Sequence, residues 1–448
     1  MQRATEVLVV GAGMAGLCAA LAAAQAGSRV ELLSNGVGSL AISGGSVDLL
    51  GAVGGDPVDL PWAAMAMLPP EHPYRLLGRE RVAAALAALQ ACTARQGLPL
   101  HNATLDGESC NTWLPTVMGT LRPSYLVPAA LDPEALAGAH RVVVASVEGL
   151  RDCQPALVIR QLREQPRWRG RDFVPVKLAF PEFDSGERSL NALDLARMLD
   201  RPEGRNWLVQ ALLPHVGRAD LLLLPPVLGS RADASIWRHV SEALHCPLVE
   251  MASIPPGVGG LRLRDALLRE LGGYEFGMVE NTEILRAESD AGHCRALVAG
   301  NVDGESRYEA RAFVLATGGI LSGGLQLDPG RARESVLGID IPVPAEVEAL
   351  SEADIFGPHR FSRLGVTVNG RMQPVQPQDA AGRPLWDNVF FAGRTVGGYD
   401  FALEKSGHGV ACATGWQAGL CAARLAREAG KTAGAVMSGV RYERADQP

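Results

Sequence analysis

A glycine-rich turn between an apolar run and an alanine-rich segment constrains the fold of this chain more than any other feature. Residues 7–10 are Val-Leu-Val-Val, residues 11–16 are Gly-Ala-Gly-Met-Ala-Gly, and an apolar stretch then runs to Gly27. A second short run, residues 29–33, carries Glu31. This order predicts a strand, a turn, a helix and a second strand, the unit that binds dinucleotides in doubly wound α/β folds.

Each glycine of the turn has its own expected role. Gly11 permits the tight turn, Gly13 lets the backbone approach a pyrophosphate, and Gly16 lets the helix pack against the sheet. The first-turn N–H groups then face the phosphates. Glu31 follows Gly11 by 20 residues and is expected at the end of the second strand, where it would bind a ribose 2′-hydroxyl and disfavour NADP. NAD and FAD both fit this pattern, and a glycine-rich turn without a nucleotide is the alternative.

Charge and cysteine content exclude several functions. The net charge is −7 and there is no long basic run, so we expect no nucleic-acid partner. Eight scattered cysteines form no CxxC pair, which predicts no metal site and no disulfide framework and fits a reducing cytosol. The first strand begins too early for a signal peptide, and no apolar run approaches the roughly 20 residues that cross a bilayer. We expect a soluble chain with no direct membrane span.

The length of 448 residues suggests two or three domains of about 150 residues. The predicted fold class is α/β, a Rossmann-like FAD/NAD(P)-binding domain with a second, inserted α+β domain. Residues 1–50 and 260–448 are expected to form the flavin (dinucleotide)-binding domain, and residues 51–259 the inserted substrate or interface domain. Within the insert, residues 79–96 read as an alanine-rich helix and residues 141–146 as a strand.

A second glycine-rich turn follows the dinucleotide motif at Ser43, Gly44 and Gly45. In flavoproteins of the fumarate reductase type, a serine- and glycine-rich loop at about this point lies against the isoalloxazine ring. We therefore expect these residues to contact the flavin ring or its phosphate. A solvated loop is the alternative interpretation.

A buried strand that ends in Ala-Thr-Gly-Gly favours FAD over NAD. Residues 295–302 and 305–315 read as strands joined by Asp303-Gly304, a good hairpin turn. The second strand runs into Thr317 and Gly318. Such an ending after a β-meander is typical of FAD-binding domains, where it crosses near the cofactor, and is uncommon in NAD dehydrogenases.

The last glycine-rich block predicts a helix that begins beside the flavin. Residues 388–391 read as a strand leading to Gly393, and Gly407, His408 and Gly409 open a long helix of small residues. Its unpaired first-turn N–H groups and its dipole would stabilise the negative charge of a reduced flavin at the N1/C2 edge. An ordinary packing helix is the alternative.

Together these blocks resemble the B subunit of the anaerobic glycerol-3-phosphate dehydrogenases, flavoproteins of the FAD/NAD(P)-binding superfamily. The likeness covers essentially the whole chain, and the segments 72–78 and 119–122 point to this type of subunit rather than to flavoproteins in general. The other segments that carry the resemblance are residues 11–16, 43–50, 316–319, 322–325 and 397–400.

The resemblance implies a three-part complex at the cytoplasmic face of the cell membrane. Similar enzymes oxidise sn-glycerol 3-phosphate to dihydroxyacetone phosphate and pass electrons through an iron-sulfur partner to the quinone pool, with fumarate or nitrate as terminal acceptor. The implied partners are a catalytic A subunit and an iron-sulfur, membrane-anchoring C subunit. The family's B subunit is described as binding FMN, whereas the glycine turn with Glu31 predicts FAD, so both flavins remain open.

Oxidation of an alcohol by a flavin needs a base for the hydroxyl proton and cations for a phosphate. His408 is the candidate base, and no other catalytic residue is assigned. A capping histidine and solvated arginines are the structural alternatives. The candidate cations near the predicted flavin blocks are Arg331, Arg333, His359, Arg360, Arg363 and Arg394.

Two other functions remain open from the sequence. The first is a stand-alone FAD oxidoreductase of the fumarate reductase or ketosteroid dehydrogenase type, which would act on its own substrate without partners. The second is a scaffold subunit that kept the fold and lost the redox role. Because the family's dehydrogenase activity is usually attributed to its A subunit, a B subunit can also act as an electron relay without its own substrate pocket.

Overall fold

The computed structural model describes residues 2–131, 133–179, 189–253, 257–344, 346–355, 357–379 and 381–439. The strands, in chain order, are β1 (Gln2–Val10), β2 (Val30–Leu33), β3 (Ala52–Val53), β4 (Asp56–Pro57), β5 (Leu100–His101), β6 (Ala103–Leu105), β7 (Glu108–Cys110), β8 (Thr112–Pro115), β9 (Leu121–Ser124), β10 (Val127–Pro128), β11 (Arg141–Val147), β12 (Asp172–Leu178), β13 (Leu221–Leu224), β14 (Leu248–Glu250), β15 (Phe276–Val279), β16 (Glu283–Asp290), β17 (His293–Asn301), β18 (Gly304–Leu315), β19 (Leu325–Asp328), β20 (Arg331–Glu334), β21 (Asp340–Ile341) and β22 (Val389–Phe391). The helices are α1 (Met14–Gln25), α2 (Pro61–Ala64), α3 (Pro73–Leu77), α4 (Arg79–Arg95), α5 (Pro133–Gly138), α6 (Pro155–Glu164), α7 (Ala192–Leu199), α8 (Pro202–Val216), α9 (Ser235–Leu244), α10 (Val258–Leu271), α11 (Phe401–Glu404) and α12 (Gly407–Gly439).

The chain forms two compact units. The first contains Met1–Gly36, Leu271–Gly398 and Ala411–Pro448, and the second contains Val37–Glu270 and Tyr399–Val410. These boundaries differ from the predicted ones at residues 50 and 260. The sequence placed the second glycine-rich turn in the flavin-binding domain, whereas its backbone packs against the start of α10, inside the second unit.

The first unit is built on a mixed sheet in the order β15-β2-β1-β18-β17-β16, with β22 paired to β18. Strands β15, β2, β1, β18 and β22 run parallel, and β16, β17 and β18 form an antiparallel meander. The predicted strand, turn, helix and strand at the start of the chain are confirmed as β1, α1 and β2. The predicted hairpin at residues 303–304 is confirmed as the connection between β17 and β18.

In the first unit, helix α1 packs unusually closely against the part of α12 that follows Val410. A Cβ atom built on Gly415 would lie 2.2 Å from the carbonyl oxygen of Ala15, and one on Gly419 would lie 2.2 Å from that of Ala19. Glycine is therefore needed at both contacts, because a real side chain would overlap the facing backbone. The small residues of α1 are buried along most of its length, which holds the helix tightly behind the carboxyl end of β1.

The second unit contains a parallel sheet in the order β12-β11-β13-β14. Strand β13 is an unbroken run of four buried leucines, as expected of a parallel strand covered on both faces. The predicted helix at 79–96 and strand at 141–146 are confirmed as α4 and β11, but the sequence did not predict the parallel strand order. Within the described ranges, no helix combines the length and the apolar character needed to span a bilayer.

Candidate functional site

The first glycine turn leaves no room for side chains. Gly11 follows β1 with φ at +108°, and a Cβ atom there would lie 2.3 Å from the carbonyl oxygen of Ala316. A Cβ atom on Gly16 would lie 1.8 Å from the carbonyl oxygen of Gly11. Both positions therefore require glycine, because a side chain at Gly11 would push the turn away from Ala316 and one at Gly16 would push α1 away from the turn.

The N-terminus of α1 is open. Gly13 is its N-cap residue and offers no side chain to accept from the first turn, which also contains no acidic residue. Among the described residues, no side chain accepts a hydrogen bond from the first-turn N–H groups of Met14, Ala15 or Gly16. A helix end of this kind favours an anion, so the geometry fits a phosphate. The predicted cofactor contact itself stays a prediction.

Two other predicted blocks meet in the first unit, at the carboxyl ends of β18 and β22. The backbone N–H of Gly318 donates to Oγ1 of Thr395 at 3.0 Å, and this hydroxyl lies 3.3 Å from Oγ1 of Thr317. Gly393 has φ at +69°, and its N–H donates to Oγ1 of Thr414 at 2.9 Å. The sequence missed Thr395, since a threonine after a glycine turn carries no distinctive signal.

Glu31 does not stand where the sequence predicted. It is the second residue of β2 and pairs with Leu8, two residues before the end of β1. Its carboxylate accepts a hydrogen bond from Nη1 of Arg3 at 2.9 Å. The expectation that Glu31 ends the second strand is therefore wrong, because β2 continues to Leu33, and Ser34 occupies the position after it.

The second glycine turn packs against backbone in the second unit. Gly45 has φ at +84°, and a Cβ atom there would lie 2.4 Å from the backbone of Gly259 at the start of α10. The Gly45 N–H donates to Oγ of Ser43 at 3.1 Å. A Cβ atom on Gly44 would lie 3.6 Å from Nη1 of Arg122. These contacts explain the glycines by packing, and the expected ring contact stays a prediction.

The start of α12 is capped by an acid that the sequence did not single out. The Asp48 carboxylate accepts from the backbone N–H of Gly407 at 3.0 Å and from that of His408 at 3.2 Å. The Gly409 N–H donates to the Asp48 carbonyl at 2.8 Å. The prediction that the first-turn N–H groups are unpaired is therefore wrong. Asp48 precedes Gly407 by 359 residues, and no local pattern links the two.

His408 is held by its Nδ1 atom. This nitrogen lies 2.9 Å from the carbonyl oxygen of Ser46 and 3.3 Å from Oδ1 of Asp48. Because a carbonyl oxygen only accepts, we assign the proton of the neutral ring to Nδ1, which leaves Nε2 as an acceptor. The described residues place no hydrogen-bond partner at Nε2, and the side chain is 14% exposed.

Arg122 lies on the other side of the same carboxylate. Its Nη2 atom is 3.7 Å from Oδ1 of Asp48, and its side chain is 32% exposed. Burial acts to raise the pKa of Asp48, but the positive charge that His408 carries when its ring is protonated, the charge of Arg122 and the backbone N–H bonds bring it below its usual value. We call Ser46, Asp48, Arg122 and His408 the Asp48 cluster.

A buried polar network braces this cluster. His72 is fully buried, its Nε2 lies 3.0 Å from Oε2 of Glu404, and its Nδ1 accepts from the N–H of Tyr74 at 3.0 Å. The Tyr74 hydroxyl donates to the carbonyl of Leu49 at 2.7 Å, next to Asp48 in the chain. The segment 72–78, which carried much of the family resemblance, thus fixes the backbone beside the Asp48 cluster.

The other candidate cations belong to the first unit and make local contacts. Arg331 and Arg333 both pair with Asp340. The ring of His359 is bound to backbone on both sides, and Arg363 donates to the carbonyl of Gly398 at 3.1 Å. Arg360 and Arg394 lie in the first unit as well. None of these residues is part of the Asp48 cluster. Within the described ranges, no group of three or more His, Cys, Asp and Glu side chains could hold a metal ion.

Solved structures match this chain over most of its length, but with low structural and sequence similarity. A flavocytochrome c3 fumarate reductase in an open conformation matches at a TM-score of 0.42 and 12% identity, over 95% of this chain and 79% of that one. A 3-ketosteroid dehydrogenase from Rhodococcus jostii RHA1 matches at 0.35 and 14%, over 94% and 97%. At such low TM-scores we draw no conclusion from either structure.

Comparison with protein families and individual sequences is more decisive. The FAD binding domain family matches residues 6–410. A protein of Pectobacterium atrosepticum, named as the B subunit of an anaerobic glycerol-3-phosphate dehydrogenase, is 30% identical over 90% of this chain and 95% of its own length. A protein of that name from Vibrio vulnificus strain YJ016 is 29% identical over 91% and 94%. The chain therefore belongs to the FAD binding domain family and, within it, to the B subunits of the anaerobic glycerol-3-phosphate dehydrogenases.

Proposed function

We propose that this chain is the flavin-containing subunit of an anaerobic glycerol-3-phosphate dehydrogenase and that its flavin is FAD. The observation that carries the proposal is the open N-terminus of α1 behind the Gly11 turn, in a chain that matches the FAD binding domain family from residue 6 to residue 410. Such a helix end binds a pyrophosphate through backbone N–H groups. The names of the relatives support glycerol 3-phosphate as the substrate.

In the first unit, the glycine turns fit a bound FAD, whereas the carboxylate of Glu31 does not. Gly11, Gly13 and Gly16 would hold the pyrophosphate, and the turns at Gly318 and Gly393 would adjoin it. The family match supports FAD and offers no support for FMN. The carboxylate of Glu31 is not included, because it is bound to Arg3 in mid-strand, so the adenosine ribose would rely on other contacts.

The second unit has its own candidate residues for a flavin contact. Ser43, Gly44 and Gly45 would lie near the flavin ring. Gly407 and Gly409 would act there only indirectly, since their N–H groups already bind Asp48. A bound flavin supplies a two-electron acceptor for the oxidation of an alcohol.

We further propose the electron route and the assembly. Electrons would leave through an iron-sulfur partner for the quinone pool, with fumarate or nitrate as terminal acceptor, and a catalytic A subunit and an anchoring C subunit would complete the complex. The chain would then lie at the inner face of the cell membrane through its partners. The word subunit in the names of the relatives supports a multi-chain assembly.

The test is a spectrum of the purified full-length chain, chromatography of the flavin it releases, and anaerobic titration with sn-glycerol 3-phosphate. Release of FAD and bleaching of its absorbance by the substrate would support the proposal. Release of FMN would overturn the choice of FAD. A flavin that glycerol 3-phosphate reduces only when the A subunit is present would assign an electron relay to this chain, and a folded chain without flavin would leave a scaffold role.

A further inference from the structure

We propose that the Asp48 cluster is the substrate site of this chain, where His408 takes the hydroxyl proton of glycerol 3-phosphate and Arg122 binds its phosphate group. This inference rests on the proposed function and names the residues that would carry it. The cluster lies entirely within the second unit, and its geometry supplies the base, the anion-binding group and the acid that orients both.

His408 has the arrangement of a general base. Its Nδ1 proton is directed to the Ser46 carbonyl at 2.9 Å, so the lone pair of the neutral ring is on Nε2. The residue is restrained in the first turn of α12, because its own N–H is bound to Asp48. The side chain is 14% exposed, so most of it is shielded from solvent and a small part of it is accessible.

The guanidinium of Arg122 has N–H donors that could bind a phosphate. The described residues accept no hydrogen bond from its guanidinium, and its single ion pair, to Asp48, is long at 3.7 Å. A guanidinium offers five N–H donors in a planar fork that matches two phosphate oxygens. The side chain is about one-third exposed, beside the backbone of Gly44. A dianionic phosphate would satisfy this cation better than its present contact does.

Asp48 is a positioning residue in this proposal. One oxygen, Oδ1, lies near both Nδ1 of His408 and Nη2 of Arg122, so the same acid sets the spacing of base and cation. The backbone N–H bonds from Gly407 and His408 offset its negative charge, which reduces its repulsion of a phosphate. When His408 takes a proton, this carboxylate stabilises the imidazolium ring.

The step balances as a two-electron oxidation. The C2–H and O–H bonds of the alcohol break, and a C2=O double bond forms. The hydride carries both electrons, for which the flavin of the proposed function would be the acceptor, and the hydroxyl proton moves to Nε2 of His408. The phosphate stays bound to Arg122 throughout, and the proton on His408 passes to solvent before the next turnover.

The experiment compares variants of the full-length chain with its flavin. Anaerobic stopped-flow reduction by sn-glycerol 3-phosphate gives the rate constant and the apparent KM, and calorimetric titration of the oxidised protein gives Kd. For Arg122→Gln we expect Kd and KM to rise about tenfold or more, from the loss of charge-assisted hydrogen bonds. For His408→Gln we expect the rate constant to fall about 100-fold or more, with little change in Kd.

Matched controls are an arginine and a histidine outside the cluster. Arg286 is 55% exposed and pairs with Glu305, and His293 is 50% exposed and pairs with Asp387. Arg286→Gln and His293→Gln are expected to leave Kd, KM and the rate constant within about twofold. If Arg122→Gln or His408→Gln fails to fold with its flavin, Arg122→Lys and His408→Asn are measured, with smaller changes expected in the same directions.

The positioning role of Asp48 has its own readout. The charged groups near His408 are Asp48 and, on the other side of that carboxylate, Arg122. The hydroxyl of Tyr74 lies near Gly409, which is in the same turn of α12 as His408. In Asp48→Asn the protonated ring loses its negative neighbour. The rate constant for flavin reduction should therefore fall about tenfold or more while Kd changes much less, and Asp48→Glu should recover part of the rate, a pattern that a purely structural role would not produce.

The outcomes separate the two proposals. If wild-type flavin is reduced by glycerol 3-phosphate and both cluster variants behave like their controls, the substrate assignment is wrong while the proposed function stands. If the wild-type chain binds FAD but neither binds glycerol 3-phosphate nor is reduced by it alone, the substrate assignment is wrong, while reduction in the presence of the A subunit would keep the proposed function as an electron relay. A folded chain without flavin would overturn the proposed function and the substrate assignment together. Loss of binding in Arg122→Gln and slow reduction in His408→Gln would support the assignment.

Discussion

The carboxylate of Asp48 accepts the backbone N–H of His408 at 3.2 Å and lies 3.3 Å from Nδ1 of the same residue. One acid therefore caps α12 and orients the first histidine of that helix. This double contact couples the stability of the helix start to the orientation of the ring, and it motivates the first prediction.

Asp48→Ala should lower the free energy of unfolding by about 2 kcal/mol at pH 7, because it removes a helix cap and leaves buried donors without an acceptor. The pKa of Asp48 is lowered in the folded chain. Its contribution is therefore present above the unfolded pKa of about 3.9 and is lost as the pH falls through the lower folded pKa. Urea unfolding at pH 7 and pH 3 measures both effects.

The control for this prediction is Asp328→Ala. Asp328 is exposed at the end of β19, and its replacement should change the free energy of unfolding by less than about 0.5 kcal/mol. Equal losses in the two variants would show that the cap at α12 contributes nothing.

Glu334 should make the first unit less stable as the pH rises. The side chain is 1% exposed, and burial raises its pKa from 4.5 to about 7, although N–H groups of Val336 and Leu337 act to lower it. The folded chain then holds a proton that the unfolded chain has released. Stability should fall between about pH 4.5 and pH 7, by about 3 kcal/mol in total.

Glu334→Gln should abolish this pH dependence, because an amide does not titrate. The measurement is the free energy of unfolding at pH 5 and pH 8 in both proteins, with the exposed Glu283→Gln as control. A wild-type slope that persists in Glu334→Gln would mean that another group causes it.

Gly16→Ala should release the flavin and destabilise the chain. The new Cβ atom would lie 1.8 Å from the carbonyl oxygen of Gly11, so α1 and the turn must separate, at a cost of about 2 kcal/mol or more. Gly36→Ala is the matched control, because a Cβ atom there has no neighbour within 4 Å. The ratio of flavin absorbance to protein after gel filtration provides the comparison. A Gly16→Ala protein with full flavin content would show that the turn does not hold the cofactor.

Glu31→Gln should leave flavin content and affinity within about twofold of wild type. The carboxylate is bound to Arg3 in the middle of the sheet, and an exposed pair of this kind contributes about 1 kcal/mol at most. Fluorescence titration of the flavin into the stripped protein measures the affinity. A large loss of affinity would restore Glu31 as a ribose ligand and contradict its position in β2.

The sequence predicted those secondary-structure elements that depend only on neighbouring residues. The β1-α1-β2 unit follows from an apolar run, a glycine turn and a small-residue helix, each set by neighbours in the chain. The hairpin at Gly304 is equally local, because Asp-Gly favours a tight turn. The predicted position of Glu31 was wrong for a physical reason, since a count of residues from Gly11 does not state where β2 ends.

The amino-acid sequence by itself determined the fold class, the open glycine turn at α1 and the candidacy of His408, because these depend on backbone conformation and residue type along short stretches. Only the tertiary structure decided what His408 can do. Its partners, Ser46, Asp48 and Arg122, are hundreds of residues away in the chain, and their pairing arises from the packing of the second unit. Hydrogen bonds between such distant residues depend on three-dimensional proximity, which no local pattern encodes.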